Sequence, residues 1–184
     1  MNNIPNILTL SRIALIPVFI VCYYWPYIHA PLVSATLFVL AAFTDWLDGY
    51  IARRLNLVSP FGAFLDPVAD KLMVVIVLVV LLQANPDLVL ALPIAVIIGR
   101  EITVSALREW MAELGTRKVV KVSVLGKWKT ALQMLSIIML LAGRSSFSPE
   151  WVWSLGLGFL YIASIMTFWS MVLYLKAAWP SLDW

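Results

Sequence analysis

Four carboxylates stand in a stretch whose other residues are mostly apolar or small: Asp45 and Asp48, then Asp66 and Asp70. Asp45 and Asp48 are spaced i and i+3, Asp66 and Asp70 i and i+4, so in helical segments each pair shares a face. An ionisable group at the centre of a membrane helix costs at least about 2.5 kcal/mol, which makes such groups functional candidates by default. Facing carboxylates repel unless cations hold them. Hard oxygen ligands of this kind suit Mg²⁺ or Mn²⁺, and a cluster of four can bridge two ions as two-metal phosphoryl sites do. Mg²⁺ keeps waters and takes substrate phosphate oxygens to complete its shell, so a phosphate-bearing substrate is expected. Gly49, Ala52 and Gly62 leave room for a flat group to approach the backbone. Arg53 could pair with a phosphate or a base edge. The plainer alternative is that these carboxylates snorkel to the interface or pair with Arg53 and Lys71.

The elements that must position these residues follow from composition. Of 184 residues, 62% are apolar and 12% charged, against a usual charged share of about a quarter. With a mean hydropathy of +0.94 and nine Trp, most of the solvent is lipid. Disorder, a coiled coil, a disulfide scaffold and a secreted enzyme are excluded, and the single Cys22 allows no intrachain bridge. The expected fold is an all-α integral membrane protein forming one catalytic domain over residues 1–184. A short amphipathic interfacial segment (about 3–12) precedes six transmembrane helices at about 13–28, 31–53, 60–84, 88–111, 124–143 and 151–176. Pro26 and Pro31 divide the first apolar run, Asn85-Pro86-Asp87 and the Ser-Ser and Ser-Pro of 143–150 mark two further turns, and Ser59 and Pro60 read as N-cap and first helical residue. The short 53–60 connection predicts that the two Asp-bearing helices are antiparallel neighbours whose pairs face one another.

Of thirteen Lys and Arg, only Arg144 falls in the far-side turns. Retention of basic residues on the cytoplasmic side therefore places both termini and the carboxylates there. No small-x-small cleavage site follows the first apolar run, so cleavage as a signal peptide is not expected. Tyr23, Tyr24, Trp25 and Tyr27 read as an interfacial aromatic belt on the far side. His29, in a far-side turn, is expected to take no part in the chemistry. No nucleic-acid partner is expected.

Asp-x-x-Asp-Gly-x-x-Ala-Arg, then eight residues and Gly-x-x-x-Asp-x-x-x-Asp, resembles the signature of the CDP-alcohol phosphotransferases, with Asp45, Asp48, Gly49, Ala52, Arg53, Gly62, Asp66 and Asp70 at its fixed positions. The stretches 3–12, Gly99-Arg100-Glu101-Ile102, Leu107-Arg108-Glu109-Trp110 and Gly126-Lys127-Trp128-Lys129-Thr130 are similar to the branch of that family that makes phosphatidylglycerophosphate. The resemblance implies a six-helix homodimeric enzyme of the bacterial inner membrane with a dinuclear Mg²⁺ or Mn²⁺ site. Its substrates would be CDP-diacylglycerol and sn-glycerol 3-phosphate, its products phosphatidylglycerophosphate and CMP, and its pathway that of phosphatidylglycerol and cardiolipin. It assigns metal ligation to Asp45, Asp48, Asp66 and Asp70, with Asp70 also the general base. CDP-lipid binding goes to Gly49, Ala52, Arg53, Ser59 and Gly62, with Asn6 and Thr9.

An anionic acceptor also suits the basic residues themselves. Arg100 lies mid-span beside Glu101, Arg108 about two turns further along, and Lys127 and Lys129 at the start of the next span. A doubly charged phosphate monoester requires such groups, Arg binding it as a fork and Lys as a point charge. The alternatives are an ion pair with a buried carboxylate for Arg100, and positive-inside bias with attraction to anionic lipid for Lys127 and Lys129. A sister transferase using inositol phosphate or serine, and an intramembrane cation transporter, are the competing functions.

Overall fold

A computed structural model describes the backbone of residues 4–55, 60–113 and 124–179, with side chains for 10–44, 65, 68–69, 71–107, 109–111, 128–176 and 179. Six helices and no strand occur among the described residues: α1 Ile4–Tyr24, α2 Ala30–Leu55, α3 Pro60–Ala84, α4 Leu88–Glu113, α5 Val124–Ala142 and α6 Glu150–Ala178. The breaks fall where backbone chemistry requires them. Pro26 lies just beyond the end of α1, and the turn to α2 closes with Tyr27 N–H donating to Trp25 O at 2.7 Å. Asp87 accepts the Val89 N–H through Oδ1 at 3.2 Å as α4 begins, an N-terminal cap of the usual side-chain type. After α5, the Ser148 hydroxyl donates to Ala142 O at 2.7 Å.

One feature differs from expectation. The segment 3–12 is not a separate element, because α1 runs unbroken from Ile4 to Tyr24. Its polar residues suggest an interface, yet Arg12, Ile16 and Phe19 are all buried at i, i+4 and i+7 and form one continuous inward stripe. α1 packs against both α2 and α3, while the facing ends of α2 and α3, where the two Asp pairs are expected to meet, lie outside the described side chains.

α5 packs on α6 and α2, and α6 on α4. The interior is filled by Phe19, Phe38, Leu78, Leu81, Ile97, Ile137, Leu140 and Leu160, all 0–1% exposed. The exterior is apolar too: Val21, Leu40, Val79, Leu92, Leu135, Ile165, Phe168 and Trp169 point outward on every helix. A surface of this kind belongs in lipid. Two helical stretches, Leu88–Met111 and Glu150–Lys176, are long and apolar enough to cross a membrane. Shorter apolar stretches occupy Leu10–Tyr24, Ala30–Thr44, Lys71–Ala84 and Trp128–Ala142.

One end of the bundle is tied by side chains. The Tyr24 hydroxyl donates to Gln83 Oε1 at 2.7 Å, joining α1 to α3. Arg144, in the α5–α6 turn, donates to the Tyr23 hydroxyl and places its guanidinium 4.8 Å from the Tyr23 ring centroid. Partial burial there lowers its pKa from the ordinary arginine value. His29 stacks on Phe147 at 5.1 Å and meets Tyr27 edge-on. These aromatics therefore join helix ends.

α4 contains Pro93, which has no N–H to give the carbonyl of Val89 four residues before it. The Tyr161 hydroxyl of α6 donates to that carbonyl at 2.8 Å. α5 and α6 approach closely at Gly156, where an added Cβ would lie 3.1 Å from the backbone nitrogen of Leu140. The Ser136 hydroxyl donates to Gly156 O at 2.7 Å across the same contact. Gly158, two residues on, has open space around it. Gly156→Val is expected to destabilise the bundle by about 1–3 kcal/mol through overpacking, whereas Gly158→Val leaves it nearly unchanged. Thermal unfolding of both variants in detergent checks the contrast.

Candidate active site

The helical backbone carries the Asp positions in the register expected of them. Positions 45 and 48 are three residues apart in the last half of α2, and 66 and 70 four apart in the first half of α3. Because the Tyr24–Gln83 and Tyr23–Arg144 ties fix the other end, all four positions fall at the polar end, together with the start of α5 and the second half of α4. The side chains of Asp45, Asp48, Gly49, Ala52, Arg53, Gly62, Asp66 and Asp70 lie outside the described residues, as do those of Asn6, Thr9, Arg108 and Lys127. Ser59 lies outside them altogether.

The described part of this end is a set of buried cations. Arg12 is 2% exposed, Lys129 5% and Arg100 8%. Lys129 shares one face of α5 with Gln133 and Ser136, likewise buried at 5% and 0%. It thus belongs to the interior of the bundle and not to the exposed cytoplasmic face that the positive-inside alternative gives it. Arg12, taken from sequence as a marker of the cytoplasmic face, is also inside. Arg100 forms an ion pair with Glu101 through Nη1, the two side chains being 10% and 21% exposed. Its Nε is buried without a hydrogen-bond partner. The anticipated carboxylate partner of Arg100 is therefore its chain neighbour, which leaves one face of the guanidinium still able to donate.

Lys71 directly follows Asp70. Its ammonium donates to the Ser105 hydroxyl of α4, and Ser105 in turn donates to Glu101 O at 2.5 Å. Across α6, Thr167 is fully buried with its hydroxyl oxygen unpartnered. Sequence reasoning passed over Arg12, Lys71, Ser105, Gln133 and Thr167 as site residues. The retrievable signal was periodic: 12/16/19 and 129/133/136 place polar residues on the same stripe as core residues.

Several buried cations in an apolar bundle demand nearby anions, because an uncompensated charge in a low dielectric costs several kcal/mol. Glu101 answers one of them, and the Asp positions on α2 and α3 bring the remaining negative charge to the same end. The arrangement is suited to an anionic ligand meeting hard oxygen donors. Removing one partner of a buried pair strands the other, at about 3–5 kcal/mol, whereas replacing both by apolar groups costs much less. Glu101→Met is accordingly expected to lower the unfolding temperature more than the double variant Arg100→Met with Glu101→Met does. A thermal-shift comparison of the two in detergent measures this.

A family model described as CDP-alcohol phosphatidyltransferase matches residues 2–175. The chain is 56% identical over 181 residues, covering 98% of it and 92% of the relative, to a CDP-diacylglycerol–glycerol-3-phosphate 3-phosphatidyltransferase of Pseudomonas fluorescens. It is 51% identical over 177 residues to the protein of that name in Pectobacterium atrosepticum, covering 96% and 94%. With that of Salmonella typhimurium the identity is 50% over 177 residues, with the same coverage. Signature, helical register and near-full-length identity converge: the chain belongs to the CDP-alcohol phosphatidyltransferase family.

Proposed function

We propose that this protein transfers the phosphatidyl group of CDP-diacylglycerol to sn-glycerol 3-phosphate, giving phosphatidylglycerophosphate and CMP. The observation that carries the reading is identity of 50–56% with transferases of that name over nearly the whole chain. The burial of Arg100 and Lys129 at the end of the bundle that bears the Asp positions supports an acceptor carrying a phosphate. Serine as acceptor carries no phosphate for such groups to hold.

The donor set fits divalent metal. Four carboxylates on two helices are hard oxygen ligands of the sort that Mg²⁺ or Mn²⁺ takes, and Asp45, Asp48, Asp66 and Asp70 would hold two such ions. When bound, the ions supply neutralisation of the charge that builds on the pyrophosphate as CMP departs. The chain's own residues do the rest. Gly49, Ala52, Arg53, Ser59 and Gly62, with Asn6 and Thr9, seat the CDP moiety. Arg100, Arg108, Lys127 and Lys129 hold the phosphate of the acceptor so that its C1 hydroxyl lies in line with the β-phosphorus. Asp70 accepts the hydroxyl proton as the new O–P bond forms and the bond to CMP breaks. The acyl chains stay among the outward-facing apolar side chains throughout.

The protein crosses the bacterial inner membrane six times, with both termini and the active site cytoplasmic, and works as a homodimer. An even number of helices and the gathering of Lys and Arg at one end support the topology, and the family resemblance supports the dimer.

Purified protein incubated with CDP-diacylglycerol, Mg²⁺ or Mn²⁺ and one acceptor at a time is expected to release CMP with glycerol 3-phosphate. Release with serine or inositol phosphate instead would overturn the acceptor assignment. Chelation by EDTA is expected to stop the reaction and added Mg²⁺ or Mn²⁺ to restore it. Asp70→Asn is expected to lower kcat by at least about 100-fold, the lower range for loss of a general base, while CDP-lipid binding persists. A near-normal rate would remove the base assignment.

A further inference from the structure

Thr167 carries a hydroxyl that its own helix does not satisfy. Thr36, Thr103, Ser164 and Ser170 each donate to a carbonyl three or four residues back along their helix, the usual arrangement for a hydroxyl in a helix interior. Thr167 is fully buried, and its oxygen has no hydrogen-bond partner. The helices that pack on α6 are α5 and α4, and their side chains are described from 128 to 142 and from 88 to 107. A buried hydroxyl left without a bond bears the full cost of its desolvation, which makes Thr167 a candidate contact for a ligand.

The α5–α6 register fixes what Thr167 faces. An added Cβ at Gly143 would lie 3.0 Å from Trp153 N, and one at Gly156 would lie 3.1 Å from Leu140 N. The Ser136 hydroxyl donates to Gly156 O. The two helices therefore run antiparallel in contact, with Leu140 opposite Gly156. From that contact the interior residues step away in equal strides: Ser136, Gln133 and Lys129 on α5, and Leu160, Ala163 and Thr167 on α6, all 0–5% exposed. Steps of four, three and four residues keep to one helix face. The two stripes thus stay turned toward each other, and Lys129 stands opposite Thr167. Helical side chains lean toward the N-terminus of their own helix, so Lys129 leans toward the end that bears the Asp positions and Thr167 away from it. Ammonium and hydroxyl are thereby offset along one seam, and a phosphate held by the first would present the rest of its ester to the second.

We infer that Thr167 hydrogen-bonds the C2 hydroxyl of the acceptor whose phosphate Lys129 holds, and so selects a polyol phosphate over a plain alkyl phosphate. This rests on glycerol 3-phosphate being the acceptor, as proposed above, and gives α6 a specificity-determining residue outside the family signature.

The acceptor analogue 3-hydroxypropyl phosphate keeps the attacking hydroxyl and the phosphate and lacks only the C2 hydroxyl. Wild-type enzyme is expected to show a KM for it about 3- to 10-fold above that for glycerol 3-phosphate, the worth of one neutral hydrogen bond. Thr167→Val keeps the shape of the side chain and removes the hydroxyl. It is expected to raise the glycerol 3-phosphate KM by the same factor and to leave that of the analogue within about twofold, so that the two acceptors are no longer told apart. Thr167→Ser retains the preference, and the KM for CDP-diacylglycerol is unchanged in both variants. A structural hydroxyl predicts otherwise: losing it would lower the unfolding temperature in detergent, whereas loss of an unpartnered one leaves that temperature no lower than wild type. Should Thr167→Val fail to fold, Thr167→Ala is read in the same way. An unchanged acceptor preference in Thr167→Val overturns the inference, and so does a wild-type enzyme that uses both acceptors equally well. Wild-type protein that releases no CMP with glycerol 3-phosphate would sink the acceptor assignment itself, and this inference with it.

Discussion

A charge placed in lipid must be answered by another charge or by a full set of hydrogen bonds, and this constraint organises the molecule. The exterior carries Val, Leu, Ile, Phe and Trp along every helix, so the bilayer face has nothing to answer. The cost is concentrated at one end of the interior. There Arg100 pairs with Glu101, Lys71 donates to the Ser105 hydroxyl, and Arg12 and Lys129 are buried in the same half of the bundle as the helical turns that bear four Asp positions.

The remaining packing holds that end in place from a distance. α5 and α6 meet through Gly156 with no room for a side chain, and Ser136 bonds across the contact. In lipid, where apolar surface gains little from pairing, small residues and interhelical hydrogen bonds are what bring helices close. At the opposite end Tyr23, Tyr24, Gln83 and Arg144 perform the same service for α1, α3 and the α5–α6 turn. Rigidity far from the chemistry lets buried polar groups keep their spacing near it.

Much of this was legible in the chain because its signals are local. Pro26 and Asn85-Pro86-Asp87 announce helix ends, α3 begins at Pro60, and the i, i+3 and i, i+4 spacing of the carboxylates survives in continuous helices. The misread features depend on partners remote in sequence. Ser11 and Arg12 look interfacial until Ile16 and Phe19 are seen to share their helix with a buried Arg12. Lys129 counts as a cytoplasmic charge in any topological tally, but the buried line through Gln133 and Ser136 takes it inside. Lys71 was weighed only as a counter-ion for nearby carboxylates, and its contact with Ser105 spans 34 positions.

Pro93 gives the α4–α6 pair a fixed vertical alignment. A carbonyl deprived of its helical donor within a membrane protein must find another, and the Tyr161 hydroxyl supplies it at one height only. Sliding α6 along α4 by a single residue, about 1.5 Å, would break that bond and strand the Val89 oxygen in an apolar setting. Arg100 lies eleven residues, roughly 16 Å, further down the same rod, and Thr167 six residues beyond Tyr161 on its neighbour. The missing amide of a proline thereby calibrates the depth at which two polar groups on separate helices stand.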